Sequence, residues 1–226
     1  MAEVKTTCRE ELLAKLREDP VWDVVVIGGG ATGAGIAVDA ASSGLKTVVL
    51  EAQDFSSGTS SRSTKLIHGG VRYMKNPRDW GLVREALKER RILIKNAPHL
   101  VHSKPFILPC YKKGEREFYT IGLGIYSAMT YGGYNIGHTS SLSREDTLMR
   151  LPGVKPEGLM GGVQFFDGQF DDARLDVALI RTAYEHGAVP LNYMPVVGVT
   201  REGGMIRSVT AKDKETGEEF VIRTKM

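Results

Sequence analysis

The sequence predicts an α/β fold: a domain built on a parallel sheet, interrupted along the chain by a segment of mixed α+β structure. Two observations predict it. A buried strand, a glycine-rich turn, an alanine-rich helix and a second strand follow one another within the first 51 residues. After a stretch of mixed periodicity, a long helix and four short strands then complete the 226 residues.

The composition narrows the functional classes. A chain with 42% hydrophobic and 25% charged residues has room for one large domain, or for one domain interrupted by another. Its net charge of +3 comes from scattered Lys and Arg, without the basic stripe of a nucleic-acid-binding surface. Cys8 and Cys110 stand far apart without neighbouring ligands, so we expect no disulfide and no metal site, in a reducing intracellular setting.

Residues 1–20 are predicted to contain an N-terminal amphipathic helix that ends before Pro20. Its apolar positions are Leu12, Leu13 and Leu16, interleaved with charges. The segment carries several acids and no apolar core, which is typical of neither a secretory signal nor a transit peptide. The favoured interpretation is a helix packed on its own protein, and the alternative is a helix docked on a membrane surface. No apolar run is long enough to span a bilayer.

Residues 21–103 are assigned to the first part of the nucleotide-binding domain. Continuous apolar residues predict a strand buried on both faces, and the residues after the second strand predict a long ordered loop with short helical pieces. The predicted elements are a strand at Val21–Ile27, a helix at Ala31–Ser43, a strand at Lys46–Leu50, the loop at Gln53–Tyr73 and a helix at Trp80–Ala97.

Residues 104–170 are assigned to a substrate subdomain, and residues 171–226 to the second part of the nucleotide-binding domain. In the first segment we expect a strand at Phe106–Tyr111, helices at Ile121–Tyr131 and Arg144–Arg150, and a strand at Leu159–Phe166. In the second we expect a helix at Asp171–His186 and strands at Val189–Tyr193, Val196–Thr200, Ile206–Ala211 and Glu219–Arg223.

The glycine-rich turn has the spacing GxGxxG and lies between a strand and a helix. In this pattern Gly28 makes the tight turn, and Gly30 lets a pyrophosphate approach the backbone. Gly33 lets the helix lie close to the sheet. The first helical residues, Ala31 and Thr32, present amide N–H groups to the phosphates. The structural alternative is a glycine turn without a ligand.

The acid at the end of the second strand completes the pattern. Glu51 is placed to accept hydrogen bonds from ribose hydroxyls, and it would repel a phosphate on that ribose, which argues against NADP. The turn lies near the N-terminus and the second strand leads into a Ser/Thr-rich loop, which favours FAD over NAD. The predicted fold class is therefore α/β, a Rossmann-like FAD-binding domain of the glutathione-reductase/amino-acid-oxidase type, interrupted by a mixed α+β substrate subdomain.

The run GTSSRSTKLIHGGVRY at residues 58–73 is the most distinctive stretch of the chain. With APHL at 97–100 and DGQFDDAR at 167–174, it resembles the FAD-dependent, quinone-linked glycerol-3-phosphate dehydrogenases from about Asp23 onwards. The resemblance implies oxidation of sn-glycerol 3-phosphate to dihydroxyacetone phosphate by hydride transfer to FAD. Electrons would then pass to the membrane quinone pool or, as in related oxidases, to oxygen.

The resemblance also implies roles for individual residues. Those lining the flavin are Ser60, Ser61, Lys65, Leu66 and His68, with His68 also a candidate for proton transfer. Arg72 and Tyr73 face the substrate, since a guanidinium fork suits a phosphate dianion. The structural alternatives are a scaffold histidine, an ordinary ion-pair arginine and a loop whose serines satisfy its own backbone. Asp171 or Asp172 is most simply the N-cap of the following helix.

Members of the resembled family continue beyond this length, so we interpret the chain as an N-terminal fragment. The strand expected after residue 226 is missing, so one edge of the sheet is left unpaired, which favours association with another chain, such as a homo-oligomer. We also expect a peripheral contact with the inner face of the cell membrane. One alternative is a non-catalytic fragment that binds FAD or ADP and needs a second polypeptide. Another is an amine-oxidising flavoprotein of the glycine/sarcosine oxidase type, which the SSRSTKLIHGGVRY loop argues against.

Overall fold

The computed structural model describes residues 8–18, 21–129 and 136–225. The chain forms two compact units, one made of residues 1–63 and 172–226 and the other of residues 64–171. The sequence had placed residues 64–103 with the first unit. They belong to the second because strands and a helix within them pack on its sheet, a tertiary choice that local periodicity does not reveal.

The first unit contains a parallel and an antiparallel sheet. Its helices are α1 (Arg9–Glu18), α2 (Ala31–Ser42) and α6 (Asp172–Glu185). Its strands are β1 (Val24–Ile27), β2 (Thr47–Leu50), β7 (Val189–Leu191), β8 (Val196–Glu202), β9 (Met205–Lys212) and β10 (Glu219–Arg223). The parallel sheet has the order β1-β2-β7, and the antiparallel sheet has the order β10-β9-β8.

The parallel sheet is the middle layer of this unit. Every residue of β2 is buried, and its side chains alternate between two apolar clusters. Val49 packs with the alanine-rich face of α2 and with Ile180 of α6. Val48 and Leu50 pack on the other side, with α1 and the antiparallel sheet. The alanines of α2 have no bulky side chain, so this helix can lie close against the strands.

The strand before the glycine turn is shorter and more exposed than predicted. It covers Val24–Ile27 instead of Val21–Ile27, and Ile27 is 58% exposed. The expectation of burial on both faces is wrong because β1 lies at the edge of the described sheet and pairs only with β2. Beside its start, the Trp22 amide donates to the Arg223 carbonyl at 2.9 Å and the Trp22 carbonyl accepts from the Lys225 amide at 3.0 Å.

The N-terminal helix packs on its own protein. Leu12, Leu13 and Leu16 are 6%, 1% and 5% exposed within the cluster that also holds β7 and the antiparallel sheet. Arg9 fastens the start of the helix through an ion pair to Asp213 at 2.7 Å. The favoured interpretation of this helix is therefore correct, because the apolar face that a membrane would need is already covered.

The second unit is built on one long strand. Its strands are β3 (Leu66–Ile67), β4 (Val101–Cys110), β5 (Ser140–Leu142) and β6 (Gly161–Phe170). Its helices are α3 (Trp80–Asn96), α4 (Glu115–Ala128) and α5 (Arg144–Arg150). β6 pairs along its whole length with β4, while β3 and β5 pair with opposite ends of its other edge.

Three predicted elements of this unit differ in their bounds by more than one residue, and one of them is β6, which covers Gly161–Phe170 instead of Leu159–Phe166. β4 begins at Val101, five residues earlier than predicted, because full pairing with β6 extends it. α4 begins at Glu115 instead of Ile121, since Gly114, with φ +82°, starts the helix. The Glu115 carboxylate accepts the amides of Tyr111 and Lys112 at 2.8 and 3.1 Å, which lowers its pKa. The predicted end of this helix at Tyr131 lies outside the described residues.

Candidate functional site

The glycine turn adopts a conformation that requires glycine at two positions. Gly28 has φ +107°, a region that other residues rarely adopt. A Cβ atom on Gly33 would lie 2.0 Å from the Gly28 carbonyl oxygen, so a side chain there would separate α2 from the turn. The roles predicted for these two glycines agree with this geometry.

The N-terminus of α2 opens onto a cavity of about 430 Å³ that the turn and Ser60 line. Ser60, on a 3₁₀ turn at Thr59–Ser61, accepts the Ala31 amide at 2.8 Å through Oγ. A Cβ on Gly30 would lie 2.8 Å from the same Oγ. The Ala31 amide is therefore occupied by Ser60, and the donors left for a ligand in this cradle are the Ser60 hydroxyl and the amide of the exposed Thr32. A diphosphate fits this donor set and the partial positive charge of the helix end.

Glu51 is held in place by backbone amides on both carboxylate oxygens. Oε2 accepts from the Gly29 amide and Oε1 from the Gln53 amide, each at 2.7 Å. Each oxygen keeps a second lone pair, and the side chain is half-buried, so it can still accept from ribose hydroxyls. The predicted acid therefore lies next to the turn, fixed by Gly29, the glycine of the motif to which the sequence analysis gave no role.

A second carboxylate lies in the same unit and was not predicted. Asp176 of α6 is 0% exposed, and within the described residues neither of its carboxylate oxygens has a hydrogen-bond partner of normal geometry. Burial raises its pKa, the nearby Ser56 hydroxyl opposes that rise, and the negative charge of Glu51 adds to it. Its position in an amphipathic helix gave no signal, because spacing alone does not tell a buried acid from a surface one.

Asp172 ties the Ser/Thr-rich loop to α6. It is 4% exposed, and its Oδ2 accepts from both the amide and the hydroxyl of Ser63, at 3.0 and 2.7 Å. Its Oδ1 accepts from the adjacent Ala173 amide at 2.9 Å. Because α6 begins at Asp172, this bond is not the N-cap contact to the second or third helical amide, and the N-cap role expected of Asp171 or Asp172 stays a prediction. The link between Ser63 and Asp172 is an addition that only tertiary structure reveals.

Four of the five predicted residues of the second unit line one cavity of about 590 Å³, and Lys65 does not. Arg72 and Tyr73 lie on a 3₁₀ segment, Val71–Lys75, and both are exposed. Within the described part of the chain, the Arg72 guanidinium has no carboxylate partner and is available to an anion. The predicted residues that line the cavity are Leu66, His68, Arg72 and Tyr73.

The backbone around His68 defines how its ring can act. The Gly70 amide donates to Nδ1 of His68 at 3.2 Å, so a neutral ring in this arrangement carries its proton on Nε2. Gly70 has φ +74°, which turns the chain back toward the ring. His68 therefore presents a hydrogen-bond donor to its surroundings, a property that follows from the two glycines after it.

The remaining predicted residues have mixed surroundings. The Ser61 hydroxyl donates to the Gly58 carbonyl at 3.2 Å, which is local loop chemistry. Lys65 has φ +58° and its carbonyl accepts the Phe170 amide at 3.1 Å. The predicted residues thus fall into one group in each unit. The group of the first unit is Gly28, Gly30, Ala31, Thr32, Gly33, Glu51 and Ser60, with Ser61 alongside.

A buried polar network in the second unit was not predicted from the sequence. Arg90, Tyr126 and Asp167 are 1%, 1% and 4% exposed. Arg90 donates to Asp167 Oδ1 at 2.5 Å, and the Tyr126 hydroxyl donates to Asp167 Oδ2 at 3.0 Å. The guanidinium also lies over the Tyr126 ring, 5.8 Å from its centroid. The DGQ segment included Asp167, but its partners lie 77 and 41 residues away in the chain.

The residues that the structure describes contain neither a candidate metal cluster nor a candidate membrane-spanning helix. No cluster of three His, Cys, Asp or Glu side chains there is arranged to hold a metal ion. Over the same ranges, no helix combines the length and apolar character needed to cross a bilayer.

The fold and the turn define a dinucleotide-binding protein of the flavoprotein type. The family described as DAO, FAD dependent oxidoreductase, matches residues 23–224, and the chain belongs to that family. The predicted fold class and the predicted family resemblance are confirmed.

The chain is similar to glycerol-3-phosphate dehydrogenases of several organisms. It is 42% identical to the mitochondrial enzyme of Mus musculus, over 96% of this chain and 31% of the relative. It is 41% identical to a probable glycerol-3-phosphate dehydrogenase of Encephalitozoon cuniculi, over 95% of this chain and 36% of the relative. The chain thus spans about a third of the length of these curated relatives.

Solved structures give the same picture. The glycerol-3-phosphate dehydrogenase of Bacillus halodurans, complexed with FAD, matches with a TM-score of 0.72 and 35% identity, over 96% of this chain and 35% of that structure. Glycine oxidase from Bacillus cereus matches with a TM-score of 0.66 and 20% identity, over 90% of this chain and 53% of that structure. At that identity, the second match indicates a shared fold alone.

Proposed function

We propose that this chain binds FAD and supplies part of the site of an FAD-dependent glycerol-3-phosphate dehydrogenase. The reaction converts sn-glycerol 3-phosphate to dihydroxyacetone phosphate. The observation that carries the proposal is the cradle around the N-terminus of α2, where Gly30, Ala31 and Ser60 converge beside Glu51. The similarity to the glycerol-3-phosphate dehydrogenases supports the choice of substrate.

The residues of the first unit fit FAD through its ADP half. The Thr32 amide and the Ser60 hydroxyl would hold the pyrophosphate, while the Ala31 amide holds Ser60 in place. Glu51 would accept hydrogen bonds from the ribose hydroxyls. When bound, FAD would supply the hydride acceptor, and the protein would supply binding and orientation. Glu51 acts here as a pure acceptor, because both of its oxygens are already fixed by amides.

Arg72 is the proposed anchor for the substrate phosphate. Its exposed guanidinium lines the cavity of the second unit, and a fork of N–H donors binds a phosphate through two parallel hydrogen bonds. Tyr73, beside it on the same 3₁₀ segment, adds a hydroxyl that can donate or accept. Together they would orient the glycerol carbons.

His68 is proposed to act on the oxygen atoms of the substrate. Oxidation of the secondary alcohol releases a hydride from carbon and a proton from oxygen. With Nδ1 engaged by the Gly70 amide, the neutral ring of His68 donates through Nε2. In this arrangement it orients the substrate, and it would take up the hydroxyl proton only after the bond from Gly70 is released.

The proposal extends to the partners of the enzyme. The resemblance supports a membrane quinone as electron acceptor, with a peripheral contact at the inner face of the cell membrane and assembly as a homo-oligomer. Oxygen is the alternative acceptor, as in the related oxidases. Addition of a short-chain quinone analogue to the reduced protein separates the two, since a quinone-linked enzyme reoxidises with the quinone much faster than with air.

The test of FAD binding is the flavin content of the purified 226-residue chain. We expect a yellow protein with stoichiometric FAD. Gly30→Val should lose the cofactor, because the side chain would fill the cradle, whereas Gly35→Val, on the same helix with nothing within 4 Å of an added Cβ, should retain it. Retention of full FAD by Gly30→Val would refute the assignment of the cradle.

The test of the reaction is bleaching of the flavin by glycerol 3-phosphate without oxygen. Arg72→Ala should raise the substrate dissociation constant about 10- to 100-fold, the range for losing a charged hydrogen bond. Arg78→Ala, also exposed nearby, is the matched control and should leave it unchanged. Bound flavin that glycerol 3-phosphate does not bleach would favour the non-catalytic alternative, and bleaching by glycine or sarcosine would favour an amine oxidase.

A further inference from the structure

The network of Arg90, Tyr126 and Asp167 touches the loop that carries His68. The Gly69 amide donates to the Tyr126 hydroxyl at 2.7 Å, inside the core of the second unit. A chain of hydrogen bonds therefore runs from Gly69 through Tyr126 to Asp167, and ends on the buried Arg90. Asp167 also lines the cavity that His68 and Arg72 line.

Each member of this network is held by more than one contact. The Asp167 carboxylate accepts hydrogen bonds from Arg90, from Tyr126 and from the Gly168 amide. The positive charge of Arg90 compensates its negative charge, and both of its oxygens have hydrogen-bond donors. Burial raises the pKa of the Tyr126 phenol, with the negative charge of Asp167 adding to the rise. The phenol is therefore neutral, the form that can donate to Asp167 while it accepts from Gly69.

The contact at Gly69 is close enough to define the path of the loop. A Cβ on Gly69 would lie 2.4 Å from a Leu87 methyl carbon and 2.7 Å from the Tyr126 hydroxyl oxygen. The backbone is thus pressed against the core at this residue. The next residue, Gly70, turns the chain and donates to His68 Nδ1. Gly69 therefore fixes the backbone between the His68 ring, which precedes it, and the segment Val71–Lys75, which follows it.

We propose that Tyr126 is a positioning residue for the active site. Its hydroxyl holds the Gly69 amide, and through it the His68 ring and the start of the segment with Arg72, in the arrangement that the reaction uses. The inference rests on the proposed function for its catalytic part. Its structural part, the restraint of Gly69 by the Tyr126 hydroxyl, is measurable by itself.

The experiment compares Tyr126→Phe with the parent chain loaded with FAD. Phenylalanine keeps the ring in the core and removes only the hydroxyl. Tyr111→Phe is the matched control, because the Tyr111 hydroxyl donates to the Lys155 carbonyl at 2.9 Å, away from the loop. Two quantities are measured: amide hydrogen exchange of Gly69 by NMR with ¹⁵N-glycine, and the kinetics of flavin reduction by glycerol 3-phosphate.

For Tyr126→Phe we expect about tenfold faster exchange at Gly69, the loss that corresponds to one hydrogen bond to a buried amide. We also expect a limiting rate of flavin reduction about tenfold lower, with FAD content unchanged. Tyr111→Phe should change neither quantity. If Tyr126→Phe does not fold, amide exchange in the parent chain supplies the second measurement. We expect the Gly69 amide to be protected like the hydrogen-bonded amide of Gly168, and exchange as fast as that of the exposed Gly58 would overturn the restraint.

The outcomes separate the two proposals. Unchanged Gly69 exchange in the folded variant overturns the positioning role, whether or not the parent is active. Faster exchange with unchanged reduction kinetics also overturns it, because the restraint would then have no catalytic use. A parent that binds FAD but is not reduced by glycerol 3-phosphate overturns the proposed function, and with it the catalytic part of this inference, while Gly69 exchange still decides the structural part.

Discussion

Replacing Gly33 by alanine tests the most constrained contact in the first unit. The added Cβ would lie 2.0 Å from the Gly28 carbonyl oxygen. This distance is about 1 Å or more shorter than a normal contact between carbon and oxygen atoms. The neighbour is backbone and cannot rotate away. Gly28 is also tied to β2, because its amide donates to the Leu50 carbonyl at 2.9 Å. The helix must therefore move away from the turn or the turn must leave the sheet.

The cost follows from these contacts. Overpacking costs about 1–3 kcal/mol, and loosening the Gly28 hydrogen bond adds about 1 kcal/mol, so the steric cost is about 2–4 kcal/mol. Gly35→Ala is the matched control, since it lies in the same helix and has nothing within 4 Å of an added Cβ. Both substitutions gain about 1 kcal/mol of helix propensity, so the difference between the two variants isolates the steric cost.

The assay is urea unfolding of both variants and the parent, followed by far-UV circular dichroism, with FAD affinity measured alongside. We expect Gly35→Ala to unfold at higher urea than the parent, with unchanged affinity. Gly33→Ala should unfold at lower urea and lose affinity, because the phosphate-binding end of α2 has moved. Equal free energies of unfolding for the two variants would show that the turn tolerates a side chain, and the close approach of α2 would not be the reason for this glycine.

Three further substitutions test other contacts. Asp176→Asn should stabilise the protein by about 1–3 kcal/mol at pH 8 but not at pH 4. Because burial raises the pKa of Asp176 in the folded state, the parent is more stable when this carboxyl group is protonated, and it loses that stability as the pH rises. A pH-independent difference in urea titrations would contradict this. Leu13→Ala should cost about 2–5 kcal/mol, since Leu13 is 1% exposed, whereas Leu82→Ala, at 59% exposure, should cost far less; similar midpoints would mean that α1 is not part of the core. Arg90→Met should cost about 3–5 kcal/mol by leaving Asp167 charged and unpaired, and a thermal midpoint equal to that of the parent would count against the ion pair.

Local chemistry made the nucleotide-binding turn predictable from the sequence. A strand, three glycines at fixed spacing, a helix and an acid all lie within about 30 residues, and each has its own physical reason. The bounds of α2 and β2 differ from the predicted ones by a single residue at one end. Glu51 was predicted from its place at the end of a strand, and the structure adds that Gly29 and Gln53 fix its carboxylate.

The parts that were not predictable depend on distant partners. β3 has two residues and β5 has three, too few to show alternation, and each exists because β6 offers it an edge. The amphipathic pattern of α3 indicates that one face is buried, without indicating which sheet covers it. The boundary at Ser63–Thr64 was missed for this reason.

The same limit explains why Asp176 and Arg90 were not predicted as buried. A charge on a helix is exposed by default, and only the surrounding structure reverses this. The two residues have opposite solutions to burial. Arg90 is paired with Asp167 and stacked over Tyr126, so its charge is compensated. Asp176 lies beside Ser56 without a hydrogen bond of normal geometry in the described residues, and burial raises its pKa. The charge of Arg90 thus belongs to the hydrogen-bonded network that reaches the Gly69 amide, whereas the charge of Asp176 makes the stability of the first unit depend on pH.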